Sequence, residues 1–218
     1  IDAPLGVQLV IAVLLVAFFW SLVVIVQKLF QFAKTRKEAD KFEQVFWSGQ
    51  ALDELYQALS QRRNEGMASL FVAAMREWKR STESENGAPA GRTMTGAQGR
   101  IEKVMTVAVS RDVERLGRRL GLLSAIASSA PLLGLFGLAW GLRSAFQAAA
   151  GSDLASLANM APGIAQSLLP AGLGFLVAIP AKVFSSKFAV EAERYTTRLD
   201  GFADEFSAIL SRQIDWAA

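Results

Sequence analysis

Two long uncharged stretches in the second half of the chain limit the possible folds more than any other feature. They cover residues 120–142 and 154–181. Each can cross a bilayer, because a helix rises ~1.5 Å per residue and a hydrocarbon core of ~30 Å needs roughly 20 apolar residues. Both contain Gly, Pro and a few polar residues, as in SSAPLLGLFGLAWGL at Ser128–Leu142. A helix that only anchors a protein needs hydrophobicity alone, so this composition indicates helices that pack against others and line a path.

A third uncharged stretch, Ala3–Gln27, contains the apolar run VQLVIAVLLVAFFWSLVVIV. Its plain Leu, Val and Phe surface is typical of a helix surrounded by lipid. The run is too long for the hydrophobic region of a signal peptide, and Asp2 precedes it instead of a basic segment. The sequence therefore predicts three spans. The second and third are expected to line the centre of an assembly, and the first is expected to contact membrane lipid.

The composition argues against several classes of protein. The chain has no Cys, which excludes disulfides and thiolate chemistry, and no His, which removes the commonest general base and metal ligand. The sequence contains no nucleophile–base pair, phosphate-binding loop or metal-ligand spacing. We therefore expect no enzyme activity, catalytic residue, metal or cofactor. The net charge of +3 comes from basic residues beside the spans, which favours membrane topology over nucleic-acid binding.

The basic residues also predict an orientation. Most of the 23 Lys and Arg lie between Lys28 and Arg119, and three more follow the third span at Lys182, Lys187 and Arg194. The connection between the second and third spans carries only Arg143 and Asp153 as charges. Because Lys and Arg near span ends stay on the cytoplasmic side, the N-terminus is expected in the periplasm and the C-terminus in the cytoplasm. We interpret Arg143 as snorkelling to the interface or pairing with Asp153.

These features predict an all-α membrane protein whose three transmembrane helices are extended by long cytoplasmic helices, in a homo-oligomeric bundle around a central pore. The predicted organisation has six parts. They are transmembrane helix 1 (1–27), a cytoplasmic helical loop (28–119), transmembrane helix 2 (120–146), a short periplasmic turn (147–154), transmembrane helix 3 (155–181) and a cytoplasmic C-terminal helix (182–218).

Apolar residues at helical spacing predict helices in the cytoplasmic parts. Phe42 to Leu59 follow this spacing with a break at Gly49, and Leu70–Trp78 continue it. FWSG at Phe46–Gly49 is interpreted as a helix corner packed by its aromatic residues. The polar, Gly-rich stretch Ser81–Arg100 predicts a loop or hinge. A helix is expected to resume at Ile101 and to enter the second span without a break.

Small residues and prolines mark candidate site positions in the second and third spans. Gly134, Gly137 and Gly141 share one helix face, where small residues let helices approach closely. Helix packing is also predicted for Gly163 and Gly174. Kinks are predicted at Pro131, Pro162 and Pro180, with a helix-start role as the alternative for Pro162.

Gln166 is the only amide in the middle of the third span. Pro170, four residues on, has no N–H and leaves the Gln166 carbonyl without its helical donor. This spot is either a polar kink facing a pore or a kink satisfied by local packing. Ser128 and Ser167 are candidates for an ion path, although a Ser in a span commonly bonds to its own helix.

Several of these motifs resemble the TolQ/ExbB/MotA family of ion-driven motor proteins. In the second span they are Pro131, GLFG at Gly134–Gly137 and Trp140-Gly141; in the third they are APGIA at Ala161–Ala165, Gly174 and AIPA at Ala178–Ala181. FWSG and the tail motif at Phe202–Gln213 resemble the TolQ branch. The resemblance implies a homopentamer of three-span subunits around two helices of a TolR-type partner. Proton flow past a partner Asp would drive a TolA-type transducer that serves envelope integrity and division.

The chain departs from the family pattern at the expected ion path. The resemblance implies Thr, Glu and Thr at the positions of Leu138, Gln166 and Ala171, and usually Ala where Pro170 stands. Gln cannot accept or release a proton at any working pH, so it cannot replace Glu as a relay. Three functional hypotheses therefore remain open: a proton-driven TolQ-type subunit, a scaffold of the same family with impaired ion coupling, and an ExbB-type subunit that energises outer-membrane transport.

Overall fold

The computed structural model describes the backbone of residues 5–62, 64–84, 90–150 and 157–217, and the side chains of 5–62, 64–81, 96–150 and 160–212. Within this backbone every regular element is helical, which confirms the all-α prediction. The apolar windows long enough to cross a membrane lie in the first helix, in the fourth and fifth helices together, and in the sixth. The helices are α1 Leu5–Phe46, α2 Leu52–Ser60, α3 Met67–Ser84, α4 Ala90–Gly117, α5 Leu120–Ala150 and α6 Leu157–Ala217.

Long helices continue two of the three spans, as predicted. α1 runs for 42 residues and α6 for 61. The expected unbroken helix from Ile101 into the second span is wrong, because α4 ends at Gly117 and α5 begins at Leu120. Arg119 between them has a φ of 71°, a left-handed conformation that is uncommon for a residue with a side chain. Its guanidinium donates a 2.7 Å hydrogen bond to Gln27 Oε1, which connects the break to α1.

The loop predicted over Ser81–Arg100 is also wrong within the described residues. α3 continues to Ser84 and α4 already begins at Ala90, while residues 85–89 lie outside the described range. Arg100 joins the two helices through hydrogen bonds of 3.1 Å to the Glu77 carboxylate and 3.1 Å to the Ser81 hydroxyl. Ala97 and Ile101 are buried in addition. These tertiary contacts outweigh the low helix propensity of the Gly and Thr residues in this segment.

The chain divides into two compact units. The first, here called the span unit, comprises residues 1–29 and 119–189, and the second, here called the aromatic unit, comprises 30–118 and 190–218. The core of the span unit brings all three spans together. It contains Val10 and Leu14 of α1, Ala130 of α5, and Val177 and Ala178 of α6.

Phenylalanine rings from three helices form the core of the aromatic unit. Their ring centroids lie 5.1–6.0 Å apart, a range in which aromatic pairs stabilise a core beyond simple burial. The rings belong to Phe42 and Phe46 of α1, Phe71 of α3, and Phe202 and Phe206 of α6. The predicted break at Gly49 is confirmed, since α1 ends at Phe46 and Gly49 has a φ of 81°. The expected aromatic packing at this corner is present, since the Trp47 ring lies edge-on to the buried Phe46 ring with centroids 5.2 Å apart, although Trp47 itself stays 60% exposed.

An ion-pair cluster fixes the level of α6 against α1 in the aromatic unit. The Arg198 guanidinium lies 2.6 Å from the Asp40 carboxylate and donates two hydrogen bonds to Glu43, at 2.8 and 2.7 Å. These carboxylates raise the pKa of Arg198 further above its ordinary value, with the Glu43 hydrogen bonds as the main cause. Position 198 of α6 therefore lies beside positions 40–43 of α1.

A polar cluster surrounds the turn before α3. The Asp112 carboxylate accepts hydrogen bonds from the Gly66 N–H and the Ser69 hydroxyl, and Arg115 pairs with Glu65. Burial nevertheless raises the pKa of Asp112 above its ordinary value. Gly66 has a φ of 62°, and a Cβ atom there would overlap the Tyr195 hydroxyl. Backbone conformation and lack of space both require glycine at this position.

We expect Gly66→Ala to destabilise the aromatic unit more than Gly49→Ala. Both residues have positive φ, a conformation that costs an L-residue about 1–2 kcal/mol. Only Gly66 also meets a side chain, since nothing lies within 4 Å of the Cβ position at Gly49. Thermal unfolding in detergent measures the difference. Adding Tyr195→Phe to Gly66→Ala removes the overlapping hydroxyl and should recover the additional stability lost by Gly66→Ala. Equal losses of stability in the two alanine variants would contradict the steric argument.

Candidate functional site

The helices α5 and α6 approach each other through backbone contacts in the span unit. A Cβ atom added to Gly134 would lie 2.7 Å from the Pro170 carbonyl oxygen and 3.1 Å from the Gly174 Cα. A Cβ atom added to Gly174 would lie 2.6 Å from the Ala130 carbonyl oxygen. Both separations are too short for a real side-chain carbon. The two spans therefore meet where only hydrogen fits between their backbones.

The other predicted packing glycines lie along the same contact. A Cβ atom would lie 2.7 Å from the Pro170 ring at Gly137, 2.6 Å from Ser167 Cβ at Gly141 and 2.9 Å from Ala145 Cβ at Gly163. We call this line of contact the glycine seam. It consists of Gly134, Gly137 and Gly141 on α5 and Gly163 and Gly174 on α6. The structure brings all five together within a single chain.

Two of the predicted ion-path residues lie in the seam. Pro170 is buried with its ring against Gly137, and Ser167 is buried against Gly141. The Ser167 hydroxyl donates a 2.7 Å hydrogen bond to the Ile164 carbonyl one turn earlier. Ser128 is exposed, and its hydroxyl donates a 2.6 Å hydrogen bond to the Ser124 carbonyl. Each hydroxyl thus bonds to a carbonyl of its own helix, as serines in spans commonly do.

The three positions at which the resemblance implies polar residues occupy different environments. Gln166 is exposed, while Leu138 and Ala171 are half-buried. The Ala171 Cα lies only 3.1 Å from the Cβ position of Gly134, so Ala171 borders the seam. Leu138 directly follows the seam residue Gly137. Residues 138 and 171 therefore flank the α5–α6 contact, and position 166 lies on the outer surface of the isolated chain.

The three predicted kink prolines are all inside helices. Pro131 lies in α5, and Pro162 and Pro180 lie in α6. The alternative that Pro162 starts a helix does not hold, because α6 begins at Leu157, before it. Both helices continue past their prolines, so the freed carbonyls lie within continuous helical segments.

Sequence reasoning missed the contribution of the first span to the seam. A Cβ atom at Gly137 would lie 3.0 Å from Val10, and one at Gly141 would lie 3.6 Å from Val7. At Gly6, the Cβ position lies 2.7 Å from the Trp140 indole nitrogen. The signal was present in α1 as Val7, Val10 and Leu14, which recur at helical spacing. Within the plain apolar sequence of this span, nothing distinguished that face from the faces around it.

The charged residue at the predicted outer end of α5 contacts an aromatic ring. The Arg143 guanidinium lies 5.8 Å from the centre of the Trp140 ring, within range of a cation–π interaction. The alternative partner, Asp153, lies outside the described residues.

All three spans retain exposed apolar side chains in the isolated chain. Leu9, Val16 and Phe19 represent this surface on α1, Leu132 and Phe136 on α5, and Leu168, Leu169 and Ile179 on α6. Contact with lipid or with other membrane helices would cover these side chains. The α5 and α6 surfaces are thus available for assembly, in addition to the seam inside the chain.

A protein-family profile and individual relatives point to the same group of proteins. Residues 62–201 match the sequence profile of the MotA/TolQ/ExbB proton channel family. The chain is 34% identical over 215 residues to the Tol-Pal system protein TolQ of Haemophilus influenzae, covering 98% of this chain and 92% of that protein. It is also 34% identical over 215 residues to TolQ of Pseudomonas aeruginosa, covering 98% and 91%. The biopolymer transport protein ExbB of Salmonella typhimurium is 37% identical over 100 residues, covering 46% of this chain and 41% of that protein.

Proposed function

The chain belongs to the MotA/TolQ/ExbB proton channel family, and we propose from this that it is the TolQ-type subunit of a Tol-Pal system in a bacterial inner membrane. The observation that carries this proposal is the similarity to two TolQ proteins over 98% of the chain. At comparable identity the similarity to ExbB proteins covers only 46–53% of the chain, and where it covers 89% the identity falls to 20%. Three apolar helical stretches long enough to cross a membrane agree with a multi-pass protein.

In this proposal the chain assembles as a homopentamer around a pair of helices from a TolR-type partner. Spans two and three line the pore, and span one faces lipid. The N-terminus is periplasmic, and the aromatic unit and the C-terminus are cytoplasmic. Proton flow then energises a TolA-type transducer for envelope integrity and cell division. The glycine seam supports the proposal, because a rigid α5–α6 pair is a suitable wall for a pore that must hold moving partner helices.

A second candidate function is a scaffold of the same family that assembles but couples ions poorly. The identities of Leu138, Gln166 and Ala171 favour it, since none of these side chains can be charged and only Gln166 is polar. Proton flux in the presence of the partner separates the two candidates. Assembly alone does not, because both candidates are expected to form the same oligomer.

Complementation tests the proposed function directly. We expect the chain, expressed together with a TolR-type protein, to restore the outer-membrane barrier of a strain lacking TolQ, measured as detergent resistance. The matched control is a strain lacking ExbB, in which iron uptake through outer-membrane transporters should stay defective. Rescue of the second strain alone would assign the chain to the ExbB type. Assembly without rescue of either strain would favour the scaffold.

A further inference from the structure

A groove with an apolar floor and an acidic rim runs between α4 and α6 of the aromatic unit. Its volume is about 580 Å³. Met105 and Val109 on its floor are buried, and the rim carries the carboxylates of Glu102, Asp200 and Asp204. No Lys or Arg is among the described residues that line it. Such a groove suits an apolar side chain that stands close to a positive charge.

The end of α1 presents a matching surface. Trp47 is 60% exposed and Val45 40% exposed, although both lie well beyond the apolar part of this helix. Lys41, one to two turns earlier, is exposed and makes no ion pair with the described residues. Where Trp lies in a protein interface, it is among the residues that contribute most to binding.

The groove and the end of α1 lie at the same level of the aromatic unit. Arg198 binds Asp40 and Glu43, and the Phe206 ring lies 5.8 Å from the Phe46 ring. Asp200 and Asp204, between positions 198 and 206 of α6, are therefore level with the segment of α1 from Lys41 to Trp47. Copies of one chain inserted in one membrane share the same depth. A groove on one copy thus faces the corresponding level of its neighbour.

We propose that this groove receives the end of α1 from a second copy of the chain, with Trp47 on the apolar floor and Lys41 against the acidic rim. This inference rests on the proposed function, which requires several copies in one assembly. Charge complementarity selects this occupant, because all charged residues that line the groove are acidic. At the end of α1, Asp40 and Glu43 are paired with Arg198, which leaves the exposed Lys41 as the charge available to a neighbour. The arrangement also sets the register between copies, which is what charged pairs at an interface provide most effectively.

The absence of Cys from the chain makes a crosslinking test direct. Ser48→Cys and Ser207→Cys are placed on two differently tagged copies of the full chain, co-expressed in one membrane and treated with a short bismaleimide. Ser48 is exposed beside Trp47, and Ser207 lines the groove. We expect a crosslinked dimer that carries both tags. The matched control replaces Ser207→Cys by Glu205→Cys, an exposed position on the same helix that does not line the groove, and should give little product.

Two further variants test the chemistry of the contact. Trp47→Ala should lower the crosslinking yield roughly tenfold, as expected for loss of an interface anchor. Lys41→Glu on the first copy should also lower it, and Asp200→Lys on the second copy should restore it. Native mass measurement accompanies each experiment.

An intact oligomer whose Ser48→Cys and Ser207→Cys pair crosslinks no better than the control would overturn this inference and leave the proposed function standing. A monomer would contradict both, and crosslinking of Ser207→Cys to a different protein would assign the groove to another occupant.

Discussion

Gly134→Ala is expected to lower the free energy of unfolding of the span unit by about 1–3 kcal/mol, the usual range for an overpacked site. The added methyl group would lie 2.7 Å from the Pro170 carbonyl oxygen and 3.1 Å from the Gly174 Cα. Both atoms belong to the backbone, so no flexible side chain can move aside. The helices α5 and α6 must separate, and van der Waals contact is then lost along the glycine seam, where it is the main source of attraction between membrane helices.

Gly121→Ala and Gly172→Ala are the matched controls for this substitution. Both glycines lie in the same two helices, and nothing lies within 4 Å of their Cβ positions. Alanine there should leave stability unchanged or raise it by roughly 0.5–1 kcal/mol, because alanine is the better helix former. Thermal unfolding in detergent compares the three variants. A Gly134→Ala protein as stable as the controls would mean that α5 and α6 can separate at the seam without loss of stability.

The seam also changes the interpretation of larger substitutions. From the sequence alone, Gly137→Leu or Gly141→Leu is expected to disrupt assembly. In the structure both positions pack within one chain, against Pro170 and Ser167 respectively. We therefore expect these variants to damage the folded subunit first and to reduce the oligomer as a consequence. Subunit unfolding at lower temperature, together with smaller species in native mass measurement, would show this order of events.

Much of the fold follows from local sequence signals. Length and hydropathy predict the three spans, and the flanking apolar pattern predicts the corner near Gly49. The two errors have the same physical origin. Ser81–Arg100 has loop-like composition but is held helical, over its described residues, by contacts of Arg100 with α3. No Pro marks the break at Arg119 in the sequence, and the Arg119 side chain is hydrogen-bonded to Gln27, 92 positions away. Single-sequence patterns do not contain contacts of this range.

The candidate site was predictable to a similar extent. Glycine spacing on α5 indicated a close-packing face, and in the structure this face packs against Pro170 and Ser167 of α6. The contribution of α1 to the seam was not predictable, because in the sequence Val7 and Val10 look like the other apolar residues of this helix. Their role depends on which side of α1 meets α5, and that is decided by tertiary packing alone.

The largest functional effect is expected from restoring the polar residues that the family resemblance implies. The triple variant Leu138→Thr, Gln166→Glu and Ala171→Thr should raise proton flux roughly tenfold or more, since a correctly positioned proton donor or acceptor contributes at least that much to proton transfer. In the unmodified chain, a partner Asp that enters the pore would meet mainly apolar walls. Desolvation would favour its neutral form and impede proton release. The measurement is proton uptake by proteoliposomes that contain the chain and its TolR-type partner under an imposed potential.

The control for this experiment is the double variant Leu138→Val and Ala171→Val with Gln166 retained. Val has nearly the shape of Thr and Gln that of Glu, so the two proteins differ only in two hydroxyl groups and one titratable group. Steric effects at Ala171, which borders the glycine seam, are therefore equal in both. A rise in flux in the triple variant alone would assign proton coupling to these polar groups. Equal and robust flux from the unmodified chain, the control and the triple variant would instead mean that serine hydroxyls and water already suffice to carry protons, and that Gln166 in place of Glu does not impair coupling.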